Sequence, residues 1–426
     1  MILILRNAGK VVLAVRGEIS FMSSHYAIPD SLPISVFRAY DIRGVVRQDG
    51  ITVDLAYAVG RAVGSDMKER NLHEVIVGRD GRLTGKKLTN ALSQGLCDSG
   101  VNVCFIGIVP SPVLYFATCF LSATSGVMVT ASHNPHDENG FKIVLGGETL
   151  SSSGIDAIQQ RIRLQNFTKG SGKQTTVDIN NDYVDYIAKR IILARPLNIV
   201  VDCGNGAAGY LAPKLYRALG CTVHELFCDV DGNFPNHHPD PSFPENLNDL
   251  IMAVKNIKAD LGLAFDGDAD RLGVVTDQGE IIWPDRQMML FSQEVLSNYS
   301  KAKIIFDVKC SNQLPQIIKQ AGGYPLMWHT GHSLIKAKLS ETNAPLAGEM
   351  SGHIFFNDEW FGFDDGLYVG ARLLRILSKK SQSSSQQFSQ LPNSINTPEL
   401  KLPIPETEKK HSCKICCEKH VLKMQN

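Results

Sequence analysis

A serine stands just beyond an apolar run, in the segment Thr-Ala-Ser-His-Asn-Pro at residues 130–135. The run before it, residues 126–129, is short and rich in valine, which predicts a buried strand. Pro135 lacks a backbone donor and disfavours helical geometry at Asn134, so Ser132 should lie on a tight loop. A serine at the carboxyl end of a strand can act as a nucleophile or carry a phosphate. The alternative is an ordinary Ser-x-Asn-Pro turn.

Three aspartates at alternate positions, Asp266, Asp268 and Asp270, follow a second apolar run at residues 261–265. In an extended segment their carboxylates point to one side, where they repel one another. A hard divalent cation, for which we expect Mg²⁺, removes this repulsion and leaves coordination positions for a phosphate. An EF-hand does not fit, because its sixth loop position requires glycine and this chain has Arg271 there. A solvated acidic turn is the alternative.

Glu349, Ser351 and His353 also alternate after an apolar segment. In extended form they would offer a carboxylate, a hydroxyl and an imidazole to a polyol such as a sugar. A polar edge strand is the competing interpretation.

Lys309 and the segment Thr-Gly-His-Ser at residues 330–333 each follow a later predicted strand. Lysine, His332 and hydroxyl groups on loops suit the oxygens of phosphates and sugars. An ordinary helix cap with surface charges explains the same residues equally well.

The elements that must position these residues alternate between short β-rich runs and longer helical stretches, which is typical of α/β domains. Three such alternations in series indicate an internally repeated architecture. Asn139-Gly140 predicts a turn, and the polar residues 381–387 predict a loop. The predicted strands are 75–77, 101–106, 126–129, 198–202, 261–265 and 303–307, and the predicted helices are 86–96, 112–120, 183–193, 311–321 and 364–378.

Composition narrows the possible classes of protein. The chain has 426 residues, 43% of them hydrophobic and 20% charged, as in ordinary globular proteins. Lys+Arg 43 against Asp+Glu 43 gives a formal net charge of +0, which argues against nucleic-acid binding. Ten scattered cysteines predict reduced thiols in a cytoplasmic protein. We see no membrane span, and the charged residues near the N-terminus do not fit a signal peptide.

Together the motifs resemble the α-D-phosphohexomutase family, in particular its bacterial phosphomannomutase/phosphoglucomutase branch. The resemblance runs from about residue 34 to about residue 408 and rests on the segments 37–44 (FRAYDIRG), 78–82 (GRDGR), 130–135, 266–271 and 348–353. It implies three related α/β domains with mixed sheets around a cleft, and a smaller fourth domain. The implied divisions are an N-terminal extension (1–33), domain I with the serine loop (34–177), domain II with the metal loop (178–278), domain III with the sugar loop (279–392) and a remnant of domain IV (393–426).

The resemblance also implies an activity, which is the interconversion of hexose 6-phosphates and hexose 1-phosphates, of mannose and also of glucose. The implied route passes through phosphoserine and a hexose 1,6-bisphosphate, with Mg²⁺ as cofactor and a monomeric cytoplasmic enzyme. The implied metal ligands are Ser132, Asp266, Asp268 and Asp270; the implied catalytic residues are Ser132, Lys142, Arg43, Arg271 and His332; the implied substrate contacts are Tyr40, Lys309, Glu349, Ser351 and His353. Lys142 is the candidate for assisting proton transfer, with Arg43 or His332 as alternatives.

Two departures from the family pattern matter. Ala269 stands where glycine is commoner, and we expect it to need only ordinary backbone angles. Beyond residue 408 the family's phosphate-clamping loop is not found, and a shifted reading frame would explain the change. Cys413, Cys416, Cys417 and His420 could instead be drawn as a zinc site. The alternative function is therefore a truncated, catalytically impaired remnant that binds Mg²⁺ and sugar phosphate weakly.

Overall fold

The computed structural model describes the backbone of residues 2–7, 10–15 and 17–18, and residues 26–393 in full. Residues Met1–Pro392 form one compact unit. No helix in these described ranges is long and apolar enough to cross a membrane. The predicted remnant of domain IV and the cysteine-rich tail lie, apart from Asn393, outside the described residues.

Helices and strands alternate along the chain as the sequence predicts. The strands are β1 Ile2–Asn7, β2 Lys10–Val15, β3 Gly17–Glu18, β4 Ile42–Val45, β5 Glu74–Arg79, β6 Asn102–Ile108, β7 Gly126–Val129, β8 Glu138–Leu145, β9 Glu148–Thr149, β10 Gln174–Thr176, β11 Asn198–Asp202, β12 Thr222–Leu226, β13 Leu261–Phe265, β14 Leu272–Thr276, β15 Ile281–Ile282, β16 Lys303–Asp307, β17 Tyr324–Trp328, β18 Leu346–Gly348 and β19 Ile354–Phe356. The helices are α1 Val53–Glu69, α2 Gly85–Asp98, α3 Ser111–Phe120, α4 Ser152–Leu164, α5 Asn180–Ala188, α6 Leu211–Ala218, α7 Asn248–Ile257, α8 Pro284–Asn298, α9 Leu314–Gln320, α10 His332–Thr342, α11 Gly366–Ser378 and α12 Ser384–Ser389, with 3₁₀ helices at Ile34–Val36 and Pro244–Leu247.

One strand topology occurs three times. In the first repeat β6, β5 and β7 are parallel neighbours and β8 is antiparallel to β7. The order β12-β11-β13-β14 repeats this arrangement, and so does β17-β16-β18-β19. The first sheet is extended by β10 and β3 at one edge and by β4 at the other. The prediction of three related α/β domains with mixed sheets is confirmed.

The functional loops occupy the same place in each repeat, between the outer parallel strand and its antiparallel partner. The serine loop (residues 130–135) joins β7 to β8. The metal loop (266–271) joins β13 to β14, and the sugar loop (348–353) joins β18 to β19. All three parallel strands before these loops are buried along their whole length. Burial on both faces explains why these strands appear in the sequence as continuous apolar runs.

An aromatic cluster joins the three repeats. Phe116 on α3 packs against Tyr183 on α5 and against Trp360, with ring centroids 5.4 and 5.9 Å apart. Trp360 in turn stacks on Tyr368 of α11 at 4.3 Å. Large buried rings in mutual contact stabilise both by area and by ring geometry. The cluster therefore fixes elements of all three repeats against one another.

Two local predictions are wrong. Asn139 and Gly140 lie inside β8 rather than in a turn, and a Cβ at Gly140 would come within 2.1 Å of the Ile42 carbonyl oxygen on β4. Glycine is required there for close strand approach, not for a reversal. The polar segment 381–387 is not a loop throughout, because α12 begins at Ser384 with a capping box formed by Ser383 and Gln386.

The residues just before position 34 contact the first repeat. Tyr26 already stacks on Tyr57 of α1 at 5.5 Å, and the backbone N–H of Ala27 donates to Asp54. Tyr26 and Leu32 pack against the core of the first repeat. The first repeat therefore also packs against residues before 34, and the domain boundary at 34 stays a prediction.

Candidate active site

Ser132 sits on its loop in a strained conformation. Its φ is +52°, in the left-handed region that a residue with a side chain rarely adopts. Its backbone N–H donates to Thr130 Oγ1 at 2.9 Å. Its Oγ donates to Asp266 Oδ2 at 2.9 Å and lies 3.2 Å from His133 Nδ1. The strain aims the hydroxyl at the metal loop of the second repeat.

Asp266, Asp268 and Asp270 are fully buried and can each offer an oxygen within 4.8 Å of the other two. Asp268 Oδ1 and Asp270 Oδ1 have no hydrogen-bond partner. Burial, reinforced by Asp270 and Asp268, raises the pKa of Asp266 well above its usual range. Unpartnered buried carboxylate oxygens and mutual repulsion fit a site for a hard divalent cation. The acidic cluster can therefore hold a metal ion beside Ser132.

The aspartates converge by a route that differs from the expected extended segment. Residues 266–271 form a tight turn between β13 and its antiparallel partner β14. Ala269 adopts φ +58°, so the expectation that it needs only ordinary backbone angles is wrong. This conformation explains why glycine suits the position, and the alanine adds strain to the metal loop.

Lys142 on β8 reaches across to the metal loop. Its Nζ lies 2.7 Å from Asp268 Oδ2 and 2.5 Å from Asp270 Oδ2. Burial alone would lower the pKa of Lys142, but the two carboxylates hold it well above its ordinary value. Lys142 is therefore protonated in this arrangement. A protonated lysine is better suited to balancing negative charge than to accepting a proton. The expected role in proton transfer stays a prediction.

The sugar loop is also a turn and not the extended segment that we expected. The N–H of Glu349 donates to the His353 carbonyl at 2.9 Å, and Gly352 has φ +99°. Glu349 Oε1 accepts from the N–H of Gly331 at 2.5 Å. The turn still gathers the three predicted side chains, because Ser351 Oγ lies 2.8 Å and Glu349 Oε2 lies 3.5 Å from His353 Nδ1.

His353 reaches from the sugar loop to the metal loop. Its Nε2 lies 3.3 Å from Asp270 Oδ1 and 3.4 Å from Arg271 Nε. Burial is nearly complete, with 6% of the residue exposed. The imidazole therefore joins two of the predicted segments directly.

His332 opens α10 and stacks on His353, with ring centroids 5.6 Å apart. Its Nδ1 has no hydrogen-bond partner and lies 3.8 Å from Asp364 Oδ2. Burial, together with Lys336, lowers the pKa of His332 well below its usual value. The imidazole is therefore neutral near pH 7.

Arg43 and Tyr40 bring residues of the first repeat into the site. Arg43 pairs with Asp41 and donates to Asn134 Oδ1 at 2.9 Å, beside Ser132. The Tyr40 hydroxyl donates to the Thr330 carbonyl at 3.4 Å. Arg43 therefore lies beside the serine loop, and Tyr40 contacts the third repeat.

Arg271 and Lys309 supply further positive charge. Arg271 is held near Asp266 and Asp240, at 4.0 and 3.9 Å. Lys309 lies in the exposed turn after β16. The structure thus connects Ser132, the aspartates, Lys142, Arg271 and His353 by direct contacts, with His332 stacked on His353. The expected role of Lys309 stays a prediction.

Sequence reasoning missed two carboxylates that organise this site. Asp307 ends β16 and accepts from the N–H of Met350 at 3.1 Å and from Thr330 Oγ1 at 2.9 Å, so it links two loops of the third repeat. Asp364 is fully buried between both histidines and Lys336. The position of Asp307 in its repeat could have identified it. Each repeat has an aspartate at or directly after the end of its central strand, and the other two are Asp80 and Asp202.

The arrangement suits phosphoryl transfer. It places a hydroxyl, a cation site, two fixed cations and a pair of imidazoles in one buried region. Such transfer depends on positioning and on charge balance at the phosphoryl oxygens.

Family models for three domains match the chain. Residues 35–169 match phosphoglucomutase/phosphomannomutase alpha/beta/alpha domain I, residues 181–279 match domain II, and residues 283–395 match domain III. Together these ranges cover most of the sequence.

Similarity to individual proteins agrees with the match to the family models. A phosphomannomutase/phosphoglucomutase of Pseudomonas aeruginosa is 56% identical over 379 residues, covering 89% of this chain and 82% of the relative. A phosphoglucomutase of Neisseria gonorrhoeae is 52% identical, covering 89% and 83%. A solved structure of a phosphoglucomutase/phosphomannomutase family protein from Burkholderia thailandensis superposes with a TM-score of 0.84 at 51% identity, covering 86% of this chain and 82% of that one.

Proposed function

The chain belongs to the phosphoglucomutase/phosphomannomutase family, and on that premise we propose that it interconverts hexose 6-phosphates and hexose 1-phosphates, of mannose and of glucose. The observation that carries the proposal is the 2.9 Å hydrogen bond from Ser132 Oγ to Asp266 in a buried acidic cluster. The identity of 52–56% to relatives that bear these enzyme names supports it.

Ser132 is the proposed phosphoryl carrier. Phosphoserine would give its phosphoryl group to the free hydroxyl of a hexose monophosphate, which forms a hexose 1,6-bisphosphate. The P–O bond to Ser132 breaks as the bond to the sugar oxygen forms, and the sugar hydroxyl loses its proton. The bisphosphate then reorients and returns its other phosphoryl group to Ser132. A hexose 1,6-bisphosphate can therefore also recharge the free enzyme.

Asp266, Asp268 and Asp270 are the proposed ligands of Mg²⁺, with Ser132 beside them. The buried, oxygen-only donor set fits this hard cation. When bound, Mg²⁺ supplies positive charge that offsets charge on the transferring phosphoryl group. Lys142 contacts only the Oδ2 atoms of Asp268 and Asp270, so without a metal ion Asp268 Oδ1 has no partner.

The remaining polar side chains divide into cations and proton acceptors. Arg43, Arg271 and Lys142 would balance charge around Ser132, since all three lie within the hydrogen-bonded network of the serine and metal loops. The neutral imidazole of His332 and its neighbour His353 would receive the proton of the sugar hydroxyl. Lys142 is less suited to this step because its pKa is raised.

Glu349 and Ser351 are the proposed contacts for sugar hydroxyls, with Tyr40 and Lys309 at the border of the same cleft. The turn that gathers the first two around His353 supports this assignment. Substrate would have to compete with Gly331 for Glu349 Oε1.

The domain divisions 34–177, 178–278 and 279–392 are also proposals, supported by the similar ranges of the three family models. A monomer is proposed because one chain brings all of these site residues together. A cytoplasmic location is proposed because the seven cysteines in the described part of the chain are all free.

A coupled assay tests the function. Purified 426-residue chain should convert mannose 1-phosphate and glucose 1-phosphate to the 6-phosphates when Mg²⁺ and glucose 1,6-bisphosphate are supplied. The Pseudomonas aeruginosa relative assayed in parallel provides the reference rate. Rates at least about a hundredfold lower in kcat/KM would favour the alternative, an impaired remnant. Absence of turnover with every hexose phosphate would contradict the proposal.

A further inference from the structure

Arg82 is a fully buried arginine whose guanidinium group lies against the serine loop. It follows β5 in the segment Gly-Arg-Asp-Gly-Arg, and none of its side chain is exposed. Its NH1 donates to the carbonyl oxygens of Pro135 at 2.5 Å and Glu138 at 2.9 Å. Its NH2 donates to the carbonyl oxygens of Ser132 at 2.8 Å and Asn134 at 2.7 Å.

The remaining donor of the guanidinium, Nε, binds Asp80 Oδ2 at 3.1 Å. A guanidinium has five N–H groups in a rigid fork, so this geometry gives every one of them an acceptor. A single buried cation thus collects carbonyl groups from along the serine loop. Lysine cannot reproduce this pattern, because its three N–H donors all belong to a single nitrogen atom.

Asp80 closes the network from the other side of Ser132. Asp80 Oδ2 accepts from Thr130 Oγ1 at 2.7 Å, and Thr130 Oγ1 accepts from the Ser132 N–H at 2.9 Å. Asp80 Oδ1 accepts from the N–H of Arg82 at 3.0 Å. The N–H and the C=O of Ser132 therefore both lead to the same Asp80–Arg82 pair.

Ser132 needs such a restraint. Its φ of +52° places it in the left-handed region, which is unfavourable for an L-residue with a side chain. Strained backbone persists where surrounding contacts over-determine it, and it then often serves a site. Here the strained peptide presents Ser132 Oγ to Asp266 across the boundary between the first and second repeats.

The second repeat covers the network. The ring of Phe234 lies 5.2 Å from the guanidinium carbon of Arg82. A Cβ on Gly232 would come within 2.6 Å of the Gly81 carbonyl oxygen, so the two loops approach closely. A displacement of the loop that carries Gly232 and Phe234 would therefore change the contacts of Arg82.

From these contacts we propose that Asp80 and Arg82 are positioning residues that hold Ser132 in its left-handed conformation and so set the direction of its Oγ. The proposal rests on the proposed function for its catalytic consequence, but not for its structural one. Neither residue touches the reacting atoms. Their effect on catalysis passes entirely through the backbone of Ser132.

The test compares Arg82→Lys with Arg372→Lys. Arg372 is equally buried and pairs with Asp358 and Glu294 far along the chain from the serine loop, so it controls for loss of a buried guanidinium. We expect Arg82→Lys to lower kcat about a hundredfold, the loss typical of a reacting group displaced by about 1 Å, with KM within about twofold. Arg82→Ala should regain activity when methylguanidinium is added, whereas Arg372→Lys should not respond.

Hydrogen exchange provides a readout that does not depend on activity. In Arg82→Lys the amides of residues 132–134 and 136–138 should exchange at least about tenfold faster, while those of β5 and β7 stay protected. If the wild-type chain proves to have no mutase activity, the proposed function fails and this exchange result still decides the inference.

A second variant covers the case in which Arg82→Lys does not fold. Thr130→Val conserves side-chain volume but removes the oxygen that links Ser132 N–H to Asp80. It should also lower kcat with little change in KM and accelerate exchange at Ser132. Wild-type kcat and wild-type exchange at residues 132–134 and 136–138 in both variants would overturn the proposal. A loss of activity that merely follows the loss of thermal stability, as in Arg372→Lys, would overturn it as well.

Discussion

His353 Nε2 lies 3.3 Å from Asp270 Oδ1, so one imidazole joins the loop of the third repeat that would hold the sugar to the loop of the second that would hold the metal. On the opposite side of the ring, Nδ1 faces Ser351 and Glu349. This position makes His353 more than a support for its own loop. Under the proposed function, a group that contacts both loops would lie between the sugar and the metal ion.

Replacement of this imidazole should therefore impair chemistry more than binding. We expect His353→Asn to lower kcat about a hundredfold or more, the usual contribution of a positioned acid–base group, with a small change in KM. Steady-state kinetics on glucose 1-phosphate measures both constants. His136→Asn is a matched control, because His136 is exposed on the serine loop near Ser132. Equal kinetics in the two variants would remove His353 from the proposed site.

Asp307 should affect sugar binding, since it ties Met350 of the sugar loop to Thr330 beside His332. In Asp307→Asn the side chain loses its charge, and its Nδ2 can meet Thr330 Oγ1 only if that hydroxyl turns from donor to acceptor, so both hydrogen bonds that link Met350 and Thr330 are weakened. We expect KM to rise about tenfold, corresponding to the loss of about one to two hydrogen bonds. Asp202→Asn changes the corresponding strand end of the second repeat and should leave KM within about twofold. A KM unchanged by Asp307→Asn would contradict the linkage.

Ala269 gives a prediction about stability. Its φ of +58° strains an alanine but not a glycine. We expect Ala269→Gly to raise the free energy of unfolding by up to about 1 kcal/mol, because relief of strain exceeds the extra entropy of the unfolded glycine chain. Ala56→Gly within α1 should lower it by about 1 kcal/mol. Urea denaturation compares them, and destabilisation by Ala269→Gly would show that the turn is not strained.

Asp365 gives a prediction about pH. It caps α11 and accepts the Tyr183 hydroxyl, and burial raises its pKa to about 7. Because the folded state then binds a proton that the unfolded state has already released, stability falls as pH rises from about 4 to about 7. Asp365→Asn mimics the protonated acid and escapes this loss.

The variant should therefore gain stability relative to wild type across that interval, by a few kcal/mol at most, and keep a constant advantage above it. Urea denaturation of both proteins between pH 4 and pH 8 measures the difference. A difference that does not vary with pH would contradict the raised pKa of Asp365.

The sequence predicted the strands that precede the functional loops because each is a short apolar run buried on both faces. It also identified Ser132 and the three aspartates, since strand ends with clustered polar residues are a local signal. It could not show how the loops turn. The left-handed conformations of Ser132 and Ala269 depend on contacts with residues distant in the chain.

The same limit explains the residues that were missed. Asp364 and Arg82 contact partners that lie tens of residues away in the sequence, and no local spacing predicts such pairs. Asn139-Gly140 carried a turn signal, yet the close approach of β4 determines its conformation. In each case tertiary packing overrides the local pattern.

The central claim is that Ser132 carries the phosphoryl group, and one measurement tests it most directly. Purified chain is incubated with glucose 1,6-bisphosphate and Mg²⁺, and tandem mass spectrometry of its peptides then locates any phosphate. The account predicts a single phosphate on Ser132, which decreases when the bisphosphate is removed and excess glucose 1-phosphate is then added, and no phosphate in Ser132→Ala. Phosphate on another residue, or undiminished labelling of Ser132→Ala, would contradict it.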